Sequence, residues 1–270
     1  MNHIEDGIVA AADAQSLGGK APEYYLQPRN LLDNSDFTNP INQRGATSYS
    51  TQWAYTIDRW FLPGSTVPIT VGEGYVSFCT ADQFIGKEIK DGYYTAAIKL
   101  LDGRVFSGSA YYTAGESATM LANNGVIDCY LMGDAGSDAH PRLRFQTVSG
   151  EAISFVWAAL YEGSYTADTL PPYVPKGYAA EMAECKRYYN IIPYDMDDYY
   201  VNTNTEFPTI YPVSFPEMRI IPTVTLKENW NTGSAGVSVG YRTKSSLGFQ
   251  VAATNARVAW HGKIELNADL

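Results

Sequence analysis

Cysteine and histidine are scarce in this chain, with three of each among 270 residues. Cys79, Cys129 and Cys185 stand far apart, with no C-x-x-C pair and no even framework. That spacing excludes a disulfide scaffold and predicts buried, reduced thiols in a protein folded in a reducing cytoplasm. His3, His140 and His261 lack metal-ligand spacing, which excludes the common zinc sites. Positive charge is also short: 19 Lys and Arg face 29 Asp and Glu, a net charge of −10. An acidic chain repels phosphate, so a general nucleic-acid role and docking on anionic lipid are both excluded. No run of about 18 apolar residues exists, so no helical membrane span is expected. The start, Met1-Asn2-His3-Ile4-Glu5-Asp6, is acidic and has no apolar centre, so it does not read as a signal peptide.

The usual loops of catalysis are missing as well. Gly72-x-Gly74 falls in a hairpin without a following helix, so it cannot cradle phosphate. Gly-x-Ser-x-Gly is absent, so no nucleophile elbow is expected. Carboxylates are what remains: Asp33, Asp36 and Asp58 early, and Asp195, Asp197 and Asp198 late. A glycosidase needs two carboxyls about 5–10 Å apart across a sugar, which spacing along the chain does not supply. Local roles fit better. Asp33, Asn34 and Asp36 are expected to cap turns, and Asp58 to pair with its neighbour Arg59. No catalytic residue is assigned.

What the chain does have is β pattern. From Leu31 to about Tyr161, short apolar runs alternate with turn signals. Gly72-Glu73-Gly74, Asp102-Gly103 and Asn123-Asn124-Gly125 each separate two such runs, and Ser149-Gly150 separates Leu143–Val148 from the run beginning at Ala152. In Arg142–Val148 the alternation is clean: Leu143 and Phe145 face a core, Arg142, Arg144 and Gln146 face outward. Ala152–Tyr161 is apolar on both faces, with Ile153, Phe155 and Trp157 on one and Val156 and Leu160 on the other. Such a strand is central or covered by another domain or subunit. Many short strands without long helices between them predict an antiparallel β-sandwich.

The expected organisation has four parts. Residues 1–29 hold a short helix, with Ile4, Ile8, Ala11, Ala14 and Leu17 on one stripe, then a linker. That stripe suits packing against copies of itself. Residues 30–165 form a jelly-roll-like sandwich. Residues 166–176 form a stiff connector around Leu170-Pro171-Pro172-Tyr173-Val174-Pro175. Residues 177–270 form a helix followed by a second small β domain. The helix face is predicted as Tyr178, Met182, Cys185 and Tyr189. Its acidic Glu181 and Glu184 and basic Lys186 and Arg187 complement the helix dipole. The chain ends in an alternating strand, which needs a sheet partner, from this subunit or another.

Aromatics carry the binding expectation. Tyr is abundant, 21 residues against 10 Phe, so the rings are biased toward amphipathic ones. Tyr and Trp can lay an apolar face on a sugar or anchor a protein interface. Trp60 and Trp157 sit in apolar strands and are assigned to the core. Trp53 and Tyr55 lie in a polar loop, Ser48–Thr56. Tyr199, Tyr200, Tyr211 and Trp230 lie in irregular or turn-like stretches. These six are the candidate ligand-binding residues.

Three blocks carry a resemblance. Asn30-Leu31-Leu32-Asp33-Asn34-Ser35-Asp36-Phe37, Ile41-Asn42-Gln43-Arg44-Gly45 and Tyr55-Thr56-Ile57-Asp58-Arg59-Trp60 resemble the opening of β-sandwich domains akin to carbohydrate-binding jelly rolls in phage and prophage tail fibres. Trp157-Ala158-Ala159-Leu160-Tyr161-Glu162-Gly163, Leu170-Pro171-Pro172-Tyr173 and Glu181-Met182-Ala183-Glu184-Cys185-Lys186-Arg187-Tyr188-Tyr189 are similar to the passage from such a sandwich into a terminal domain. Phe215–Val224 and Glu265–Leu270 are similar to that terminal domain at its edges, while Thr225–Ala256 departs from it. The resemblance implies a non-enzymatic, homotrimeric tail-fibre tip on the virion that binds a bacterial surface carbohydrate. It also brings in a structural calcium, although Asp33-x-x-Asp36 is no EF-hand loop. Two other readings stay open: a polysaccharide depolymerase or esterase of a fibre, and a purely structural baseplate or adhesin component. The long β-helix with short repeats expected of a depolymerase is not visible in the sequence.

Overall fold

The computed structural model describes residues 28–86, 89–133, 141–200, 209–232, 234–253 and 257–269. The helix expected over 4–17 lies outside the described residues. The fold is mainly β. In chain order the first twelve strands are β1 (Ser48–Tyr49), β2 (Ala54–Tyr55), β3 (Trp60–Leu62), β4 (Ile69–Gly72), β5 (Tyr75–Phe78), β6 (Thr80–Phe84), β7 (Gly92–Leu100), β8 (Val105–Tyr112), β9 (Thr119–Asn123), β10 (Ile127–Met132), β11 (Arg142–Thr147) and β12 (Ile153–Glu162). A helix, α1 (Tyr178–Lys186), follows. The last six are β13 (Tyr189–Tyr200), β14 (Thr209–Ser214), β15 (Thr223–Thr232), β16 (Ser234–Arg242), β17 (Ser246–Ala253) and β18 (Arg257–Asn267).

The first twelve strands make two antiparallel sheets, β1-β4-β5-β12-β7-β8 and β2-β3-β6-β11-β10-β9, that share one core. Hairpins form at Gly72–Tyr75 and Asp102–Gly103, where positive-φ Gly74 and Gly103 close the turns. Ser149–Gly150 does a different job. It carries the chain from β11 in one sheet to β12 in the other. Trp60, Phe78, Phe145 and Phe155 fill the centre, each at most 1% exposed. Phe78 and Phe155 stack at 4.3 Å. Full burial of each such ring contributes about 2–3 kcal/mol. Cys79, Cys129 and Cys185 are buried and free.

β12 is central, and its two apolar faces are both used within this chain. A bulge between Phe155 and Trp157 resets the alternation. Phe155, Ala158 and Leu160 therefore face the core, while Trp157 points outward. The sequence pattern put Phe155 and Trp157 on one face, because a bulge has no period-2 signature. Outside, Tyr173 of the proline-rich connector stacks flat on Trp157 at 4.7 Å. The opening segment completes the sheet: Leu31 and Phe37 donate their amides to Leu160 and Val156 of β12.

The C-terminal strands form two three-stranded sheets, β13-β18-β15 and β14-β17-β16, around a second core of Phe215, Met218, Leu247, Phe249, Ile264 and Leu266. β18, the last strand, is flanked on both sides by strands of its own chain. No second subunit is needed to pair it. Pro193 and Pro212 lie in β13 and β14, both at sheet edges, where a missing amide costs no ladder bond.

The helix face departs from expectation. Glu181 and Cys185 are the buried pair in α1, Tyr178 is 54% exposed, and Tyr189 already belongs to β13. The expected face is kept at Cys185 and half-buried Met182 and lost at Tyr178, while a charged group, Glu181, joins the buried side. Glu181 accepts the Asn34 amide and faces Lys176 at 3.7 Å, so polar contacts hold it inward.

Candidate functional site

Two sites emerge where the sequence suggested one. The motif residues of the opening block build a buried clamp, and the loop aromatics build an open surface beside it.

The clamp begins at Asn34, held at φ 50 and 1% exposed. Its side-chain amide donates to Ile41 O at 2.8 Å and Asp58 O at 2.7 Å, and its oxygen accepts the Ile41 amide. The Trp60 indole N–H donates to its carbonyl at 2.8 Å. Asp33 lies between Lys176 Nζ at 2.7 Å and Arg59 Nε at 3.3 Å. Burial raises the Asp33 pKa, but the Arg59 and Lys176 charges outweigh it and hold the carboxyl below its usual range. The Arg59 guanidinium sits 3.4 Å from the ring centre of Tyr188. Asp36 caps a turn by accepting the Thr38 amide.

Asp58 was expected to pair with Arg59, but the left-handed turn at Arg59, φ 72, sends the two side chains apart. Arg59 reaches Asp33, and Asp58 turns to Gln43 and Arg44. Gln43 donates its backbone amide at 2.7 Å and its side-chain amide at 3.1 Å. Arg44 Nη1 stands 3.7 Å from Asp58 Oδ1, beyond hydrogen-bond reach, and its other nitrogen pairs with Asp269. Burial pushes the Asp58 carboxyl up to about 6, with the Asp269 charge adding to the rise. The clamp also fastens the two cores. Gln43 donates to Tyr189 O at 2.7 Å, and Ala268 donates to Tyr188 O at 2.7 Å. These acidic side chains hold the chain to itself.

The open surface lies on the outer face of the second sheet. In register, Tyr55 opposes Phe61 and Phe61 opposes Asp82. Phe84, two residues on in β6, shares that face. Tyr55 and Phe61 meet edge to face at 5.4 Å, and Phe61 meets Phe84 at 5.5 Å. Trp53 ends the row, 6.5 Å from Phe61 and 67% exposed. Its backbone is left-handed, φ 58, and its amide donates to Leu62 O at 2.8 Å. A left-handed tryptophan costs about 1–2 kcal/mol relative to the usual region. Strain of this kind concentrates where a side chain is held for a purpose. Arginines flank the row: Arg142 lies 5.8 Å from the Phe84 ring centre, and Arg44 lies 5.9 Å from that of Tyr55. Arg142 and Arg144 both pair with buried Asp82, Arg144 in two-point contact at 2.7 and 2.8 Å.

Of the six candidate residues, the structure brings Trp53 and Tyr55 together. Tyr211 stands in β14 and packs against the second core. Tyr199, Tyr200 and Trp230 stand in β13 and β15, paired with Val258, Arg257 and His261, and a register shift directly precedes Tyr199 and Trp230. Their side chains lie outside the described residues. Phe61 and Phe84 were missed. The signal was available for Phe61: it alternates with core residues Trp60 and Leu62, so it must face outward. Among the described residues, no group of three or more His, Cys, Asp or Glu is placed to hold a metal. Compared with family models, curated proteins and solved structures, the chain matches none.

Proposed function

We propose that this chain is a non-enzymatic binding module of a phage or prophage tail fibre, and that it attaches to a bacterial surface carbohydrate through the Trp53 face. One observation carries the reading: an indole two-thirds exposed, held on left-handed backbone at the end of an aromatic row flanked by arginines. A fold gains no burial from exposing and straining so large a ring, whereas a sugar's C–H face gains an apolar platform. The motif likeness of the opening, connector and closing blocks to tail-fibre sandwiches supplies the biological setting. Assembly as a homotrimer on the virion tail belongs to the same reading. Three weak sites on one particle then act together through avidity.

Trp53→Ala is the direct test. A buried-on-binding Trp anchor is worth about 2 kcal/mol, so binding to a panel of purified bacterial surface polysaccharides should weaken about thirtyfold, with thermal stability unchanged or slightly raised. Tyr111→Ala is the control. Tyr111 is 52% exposed but sits on the other sheet, against Tyr93. Equal binding by wild type and Trp53→Ala rules out this face. Release of new reducing ends from the polysaccharide favours a depolymerase instead.

A further inference from the structure

The orientation of the Trp53 ring has a specific cause. After β3, Pro63 and Gly64 turn back beneath the indole. The amides of Trp53 and Gly64 both donate to one acceptor, Leu62 O, at 2.8 and 3.1 Å. That shared carbonyl fixes the two backbones side by side. Gly64 is itself left-handed, φ +64. A Cβ placed on it would stand 2.7 Å from Trp53 Cζ2, 3.1 Å from Cε2 and 3.3 Å from Cη2, all atoms of the benzo ring. The ring therefore lies against the bare Cα of Gly64, so close that a Cβ there would force the ring to shift. The common acceptor sets the two backbones side by side, and the missing side chain leaves room for the indole to lie against Gly64 while 67% of the residue stays exposed.

Resting on the reading of Trp53 as the binding ring, we propose that Gly64 is the positioning residue of this surface. It seats the indole before any ligand arrives, so the sugar meets a formed platform and spends no free energy on ordering the side chain. The residue does not touch ligand; it acts through Trp53. Immobilising one rotamer-rich side chain on binding costs about 0.5–1.5 kcal/mol, which corresponds to about a two- to tenfold loss of affinity when the seat is removed.

Gly64→Ala tests this, with Gly74→Ala as the matched control. Gly74 is also left-handed, φ +79, but nothing lies within 4 Å of a Cβ placed there. The control carries the backbone strain without the contact. The first readout needs no ligand. Protein labelled with 5-fluorotryptophan is followed by fluorine NMR, the Trp53 signal being assigned by its loss in Trp53→Phe. Gly64→Ala should shift or broaden that signal, and Gly74→Ala should leave it in place. An unmoved signal in Gly64→Ala overturns the proposal, whatever the protein binds. The second readout is affinity for the polysaccharide bound best by the wild type. Gly64→Ala should weaken it two- to tenfold, and the effect should vanish in a Trp53→Ala background, because the seat then has no ring to hold. Additive losses in the double variant also overturn the proposal. If the NMR signal moves but Trp53→Ala binds like wild type, the seat stands and the carbohydrate reading of the surface falls.

Discussion

Arg44→Ala is expected to cost about 3–5 kcal/mol of folding stability, the range for stripping the partner from buried charge. Arg44 is 14% exposed and stands between two carboxylates that are 1% and 4% exposed, Asp58 and Asp269. Its guanidinium also covers the Tyr189 ring at 3.7 Å. Alanine removes the cation and the ring contact together. Asp58 keeps the two hydrogen bonds from Gln43, while Asp269 loses its salt-bridge partner. Two unpaired carboxylates then remain side by side in a dry place. The cheapest relief is a proton, so the loss should be greater at pH 8 than at pH 5. Arg44→Lys should recover only part of it, since an ammonium lacks the planar fork and the flat face that stacks on Tyr189. Urea unfolding at the two pH values measures both. A loss below about 1 kcal/mol at pH 8 would show that water reaches the pair and that the clamp does not hold the two cores together.

That clamp was only half legible in the sequence. The residue types were visible: Asp33 and Asn34 follow Leu31-Leu32, and Asp58 and Arg59 lie between Ile57 and Trp60. Their partners were not, because pairing depends on backbone hand. A neighbouring Asp58 and Arg59 read as a local pair until the left-handed Arg59 separates them, and nothing short of coordinates reveals that φ is 72. The sandwich itself was readable for a simple reason. Leu143 and Phe145 inward, Arg142 and Arg144 outward, is a period set by the pleat, and the structure keeps it. The same rule failed one strand later, at Trp157, where a bulge shifts the period by one residue.

The helix failed differently. Of the stripe Tyr178, Met182 and Cys185, the last is buried and Met182 half-buried, but Tyr178 turns outward and the carboxylate of Glu181 is buried in its place, a choice that hydrophobic spacing does not encode. For the open surface, the loop around Trp53 was recognisable as a place where a large ring had no need to be buried. Of the row beneath it, Phe61 was legible from its alternation with Trp60 and Leu62, whereas Phe84 reads as an ordinary strand apolar until its face is known. Tyr211 shows the converse: an aromatic that seemed free by sequence packs against a core.

Stability should fall as pH rises from about 4 to 7, opposite to the usual behaviour of a protein rich in paired carboxylates. Asp58 sets the sign. Its carboxyl is held at about 6 in the fold against 3.8 when unfolded. Below 3.8 both states carry the proton, and above about 6 neither does. Between them the folded state binds more protons, so each step up in pH favours the unfolded chain. The full shift corresponds to about 3 kcal/mol, present at low pH and lost by neutrality. Burial also raises Glu181 and Asp269, so these push the same way. Asp33 pushes the other way, but in a different window. Its lowered value makes its contribution complete above 3.8 and lost only as pH falls through the folded value. Asp33 differs from Asp58 in having two cations, Arg59 and Lys176, whose charges together outweigh its burial. Asp33 meets Lys176 at 2.7 Å and Arg59 at 3.3 Å and is held ionised, whereas at Asp58 burial outweighs the Gln43 hydrogen bonds and the single Arg44 charge at 3.7 Å. Chemical unfolding measured every half unit between pH 4.5 and 7.5 should therefore show a decline in the wild type. Asp58→Asn should remove most of it, because the amide cannot ionise. A wild-type curve that climbs toward neutrality in parallel with Asp58→Asn means that Asp58 is ionised throughout, with Arg44 closer in solution than 3.7 Å.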